Sequence, residues 1–187
     1  MFPIRDHNPS ARTPYVTHAL ILLNVAMFLI TMPWAGGQVG LWHRLALYPV
    51  AIAHGEWLWG LATHMFLHAG ILHLAGNMLF LWVFGDNLED QMGGLGFLVF
   101  YLACGLAAAG AQIAAVPMDD IPMVGASGAI AGVMGGYLLM FPRYFPQMAC
   151  FIDESEVGGE CVFHIGFFIK FHCFIPFNIG ESTAVFH

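Results

Sequence analysis

Charge is scarce in this chain. Of 187 residues only 9% are Asp, Glu, Lys or Arg, against roughly a quarter in soluble domains. Hydrophobic residues make up 59%, and the mean hydropathy is +0.73. Lys and Arg together number 5, with no basic run and no interleaving of basic with aromatic residues, so a nucleic-acid interface has no support. The net charge of −7 comes from acids spread over short loops and points to no partner class. Cysteine is also sparse: Cys104, Cys150, Cys161 and Cys173 form no CxxC pair, which removes a zinc site of that type. A chain of this length leaves much of its surface outside any core. Side chains this apolar therefore need lipid as their solvent, and the composition predicts an all-α, polytopic transmembrane bundle.

What is present is a series of apolar stretches broken by short polar ones. Residues 1–14 are polar, carry Arg5 and Arg12, and read as a cytoplasmic N-terminal segment. The stretch His18–Met32 supplies most of a first span, given that about 20 apolar residues cross a bilayer. A signal peptide is the competing reading, because small residues follow at Ala35–Gly37. The Trp-rich stretch Gly36–Gly60 reads as an interfacial loop, since indole rings favour the headgroup level. A second span covers roughly Ile71–Phe84 with some residues before it and is expected to end in an acidic turn at Asp86, Glu89 and Asp90. Gly96–Val116 and Val124–Phe141 form the third and fourth. After Arg143 only one doubtful span remains, Cys161–Ile179, interrupted by Lys170.

Lys and Arg near span ends set orientation. Arg5 and Arg12 place the N-terminus in the cytoplasm, and Arg143 returns there after four crossings; Arg44 counts mildly against this. Small residues recur every fourth position at Gly128, Gly132 and Gly136 on the fourth span. They do so again at Ala103, Ala107, Ala111 and Ala115 on the third. In lipid such stripes let helices approach closely, although alanine is common enough in membrane helices to explain the second stripe alone.

Polar groups inside a span are costly and mark candidate sites. One cluster is His64, His68, His73 and Asn77, of which His73 and Asn77 share a helical face. The other is Gly125-Ala126-Ser127-Gly128, where a serine at a helix start is surrounded by N–H groups without intrahelical acceptors. Under the topology above both clusters lie in the outer half of the bilayer. Together they offer a hydroxyl nucleophile and donors for an oxyanion. A packing serine between glycines is the simpler reading of Ser127 taken alone. His64 and His68 have HxxxH spacing, but a zinc protease needs Glu where Met65 stands, so no metal and no cofactor is expected.

On these residues the chain resembles the rhomboid intramembrane serine proteases. His68, His73 and Asn77 match the family's HxxxxHxxxN pattern, and residues 125–128 match its GxSG motif. Phe84-Gly85, Glu89, Gly93 and Phe100-Tyr101-Leu102 add support, and the likeness covers roughly residues 15–143. The resemblance implies that Ser127 is the nucleophile and that its amide, His73 and Asn77 stabilise the oxyanion. It further implies that Gly125 and Gly128 are motif glycines, that His68 holds the loop before the second span, and that Glu89 orders the loop after it. The substrates would be transmembrane proteins in the lipid bilayer.

The tail, residues 144–187, departs from the family plan. The family takes its base from a histidine on a sixth span, but residues 144–160 carry acids and cannot form a fifth. The composition of the tail reads as truncated or out of frame. His164-Ile165-Gly166 resembles the sixth-span motif, and His172 is the second candidate base. By helical rise Ser127 lies roughly 22 Å from the cytoplasmic end, against about 5 Å for His164 and about 15 Å for His172. Two readings stay open beside the protease: an inactive rhomboid-like protein that binds membrane segments without cleaving them, and an unrelated transporter or scaffold.

Overall fold

The computed structural model describes residues 12–32 and 39–142. The expectations for Arg5, Arg143, His164, His172 and the span Cys161–Ile179 lie outside these residues. The described chain is helical, with no strand beyond a single antiparallel bridge between Leu47 and Met123. Helix α1 spans Tyr15–Thr31, and the short helices α2 (Val39–Leu45), α3 (Pro49–Ala53) and α4 (Gly60–Thr63) follow. A 3-10 turn at His64–Phe66 leads to α5 (Ile71–Met92), α6 (Gly94–Ala115) and α7 (Ser127–Met140). Helices α5 and α6 are each 22 residues long and apolar enough to cross a membrane, whereas α1 and α7 are apolar but shorter.

The expected acidic turn at residues 86–90 does not form. Helix α5 continues through Asp86, Glu89 and Asp90 and stops at Gly93, whose φ of 73° breaks the helix, and α6 starts on the next residue. Acids are unfavourable near a helix C-terminus, so Glu89 needs another partner and finds one in α1. Pro14, the residue before α1, offers no side-chain cap. The Glu89 carboxylate takes that place, accepting from the Val16 amide at 2.9 Å and from the Thr17 amide and hydroxyl at 2.8 Å each. It thus satisfies donors that any helix start leaves open. The residue read as ordering a loop is a cap supplied across the fold.

Helix α7 packs against α5 on one side and α6 on the other. Its glycine stripe faces α6, as small-residue packing requires. A Cβ on Gly128 would land 2.5 Å from that of Ala108, one on Gly132 would strike the Cys104 side chain, and one on Gly136 would lie 3.0 Å from Phe100 Cζ. The alanine stripe behaves differently. Ala103, Ala107, Ala111 and Ala115 are exposed, while Phe97, Tyr101, Gly105 and Ala109 of α6 are buried in the bundle. On the α5 side the Phe84 and Tyr137 rings meet edge to face at 5.0 Å. Tyr101, Tyr137, Phe28, Phe97, Leu81 and Leu88 are all fully buried.

Hydrogen bonds between distant segments hold the two ends of the bundle. Glu89 ties the start of α1 to the α5–α6 turn at one end. At the other end Leu47 and Met123 exchange both amide bonds (3.1 and 2.8 Å), and the Val50 amide donates to the Asp119 carbonyl at 3.0 Å. The stretch read as an interfacial loop is therefore partly helical and anchored to the segment that leads into α7. Trp57, Leu58 and Trp59 remain exposed on it.

Candidate active site

Ser127 is the first residue of α7, preceded by Ala126 with no side-chain cap. The N–H groups of that first turn have no intrahelical acceptor, so the hydroxyl sits beside open donors. The chain enters this turn through Gly125, whose φ of +123° L side chains rarely adopt. The Gly125 amide donates to the His64 carbonyl at 2.9 Å, which fastens the turn to the 3-10 segment before α5.

His73 is the third residue of α5 and lies directly across Gly125. The position a Cβ would occupy on Gly125 is 2.8 Å from Cε1 and 2.9 Å from Nε2 of His73, and 3.7 Å from Oγ of Ser127. Imidazole and hydroxyl thus border one small space that exists because residue 125 lacks a side chain. Asn77 follows one turn later on the same face of α5. It is buried, at 3% exposure, and its Nδ2 donates to no group among the described residues. The described contacts join His73, Gly125 and Ser127; Asn77 is linked to them through its place on α5. Gly128, expected beside the nucleophile, packs on Ala108 and serves the α6–α7 contact.

His64 and His68 are buried and support this arrangement. Nδ1 of His64 is 2.9 Å from the Gly60 carbonyl oxygen. The His68 ring stands edge to face against His73, with centroids 5.1 Å apart and planes at 70°. His64 and His68 both precede α5.

Sequence reasoning missed the backbone contributions. The Leu47–Met123 bridge and the His64 carbonyl hold the turn before Ser127 through main-chain atoms, which leave no side-chain signature. The exposed His43 and the half-buried Tyr48, 2.9 Å apart, lie in the anchored stretch and share no described contact with these groups.

The Rhomboid domain matches residues 54–181, which takes in His64, His68, His73, Asn77, Gly125 and Ser127 and continues past residue 143 into the tail. YdcA, a rhomboid-named protein of Bacillus subtilis (strain 168), is 37% identical over 128 residues, covering 68% of this chain and 62% of its own length. The rhomboid protease GluP of the same organism is 38% identical over 128 residues, covering 67% of this chain and 24% of GluP. Rhomboid-related protein 2 of Mus musculus is 38% identical over 93 residues, covering 50% and 30% respectively. The chain thus spans less than two thirds of the length of each of these relatives.

Proposed function

The chain belongs to the rhomboid family of integral membrane proteins, and on that premise we propose that it is an intramembrane serine endopeptidase with Ser127 as nucleophile. One observation carries this reading: His73 Nε2 and Ser127 Oγ border the same vacant Cβ position of Gly125, at 2.9 and 3.7 Å. The substrates are transmembrane proteins, which reach the site from the bilayer. Helices α1, α5, α6 and α7 are the four crossings, and the N-terminus is cytoplasmic.

In the reaction, Ser127 Oγ bonds to the carbonyl carbon of the scissile peptide as its proton passes to a base. The carbonyl oxygen becomes an oxyanion, held by the Ser127 amide, His73 and Asn77. Collapse breaks the C–N bond, the amine leaves with a proton, and water hydrolyses the acyl-enzyme. The base comes from the tail, as His164 or His172.

A fluorophosphonate probe tests this directly. Labelling of the membrane-inserted protein that disappears in Ser127→Ala supports the enzyme. A folded, inserted wild-type chain that takes no label would instead be an inactive relative that holds membrane segments without cutting them. Substituting His164 and His172 one at a time then identifies the base by loss of labelling.

A further inference from the structure

His68 is fully buried, and neither of its ring nitrogens has a hydrogen-bond partner among the described residues. A buried polar ring without such partners is costly, and an aliphatic side chain such as leucine would fill the same space more cheaply. Its neighbour suggests why a flat ring stands there. The His68 and His73 rings meet edge to face at 5.1 Å and 70°. That is the arrangement in which the positive edge of one ring meets the negative face of another, and an N–H can point at a π face. His73 also borders Gly125, whose Cβ position would lie 2.8 Å from its Cε1 and 2.9 Å from its Nε2. The His73 imidazole thus contacts both a ring and a glycine.

The same segment also holds the nucleophile. The His64 carbonyl accepts the Gly125 amide, and His64 is itself tied to Gly60. Residues 64–68 consequently touch both halves of the site, the turn before Ser127 through backbone and the imidazole of His73 through a side chain. We propose that His68 is a positioning residue, whose ring fixes the rotamer of His73 so that its Nε2 faces the Ser127 side of Gly125. The proposal rests on the reading of Ser127 and His73 given above. It assigns His68 a role in the reaction beyond holding a loop.

The test uses the full chain in micelles with isotope-labelled histidine. In wild type, a through-space contact between the His68 and His73 rings is expected, and its absence overturns the proposal without any variant. In His68→Ala the His73 ring resonances should shift or broaden, and the fluorophosphonate labelling rate should fall on the order of 10- to 100-fold, the scale of a misplacement of about 1 Å. His68→Phe keeps the ring edge and should recover most of the rate together with the native His73 signal. Native His73 signals and wild-type labelling in His68→Ala would overturn the idea. So would a His68→Phe protein that labels as poorly as His68→Ala while its His73 signal stays native. If wild type never labels, the protease reading fails, and the His73 resonances still decide whether His68 positions that ring.

Discussion

A methyl group at residue 125 would enter space held by the His73 ring, on a backbone with φ of +123°. Gly125→Ala is therefore expected to abolish fluorophosphonate labelling and to cost about 1–3 kcal/mol from backbone strain alone, read as a lowered midpoint in thermal unfolding. The loss should exceed that of Ser127→Ala, which removes one atom from a half-buried site and leaves the fold intact.

Two elements depend on contacts that secondary structure alone does not specify. Helix α1 starts after a proline, and its first amides are capped by Glu89 of α5. Hydrogen bonds to a charged acceptor contribute about 1.5–3 kcal/mol each when buried donors would otherwise go unmet. Glu89→Ala should accordingly lower stability by about 3 kcal/mol and raise protease nicking near residue 15, with Glu89→Gln intermediate. The two small-residue stripes give a sharper contrast. Gly132→Leu would place a side chain where Cys104 already lies, and should separate α6 from α7 and abolish folding. Ala107→Leu, on the exposed face of α6, should leave the unfolding midpoint almost unchanged. Equal sensitivity at the two positions would mean that both stripes are packed.

At the scale of the molecule, the pairings sort the loops into two ends. The start of α1 and the α5–α6 turn share one end, and residues 47–50 and 119–123 share the other with Ser127 and His73. In a cysteine-free background, single cysteines at Arg12 and Gln91 should react with an impermeant maleimide from the cytoplasmic side only. Cysteines at His54 and Asp120 should react from the opposite side only. Labelling of Arg12→Cys and Gln91→Cys from different sides would contradict the bundle itself.

The helical bundle, the candidate nucleophile and the His–Asn pair were legible in the sequence because each is a local pattern. Hydropathy over a span depends on composition, the i, i+4 relation of His73 and Asn77 depends on helical pitch, and GxSG is contiguous. The end of α5 was misplaced because acids usually mark a turn, and the cap that keeps Glu89 helical comes from residues 16 and 17, far away in sequence. Which small-residue stripe packs was likewise undecidable from spacing, since alanine every fourth residue looks the same facing lipid or a helix. Membrane residence and the candidate residues of the site were thus legible in the order of residues alone. Tertiary structure decided that Gly125 is the point where His73 meets Ser127, that Gly128 serves helix packing, and that His68 stands against His73. Such distances arise only when α5 and α7 dock, and no one-dimensional pattern encodes the gap that a missing Cβ leaves between two helices.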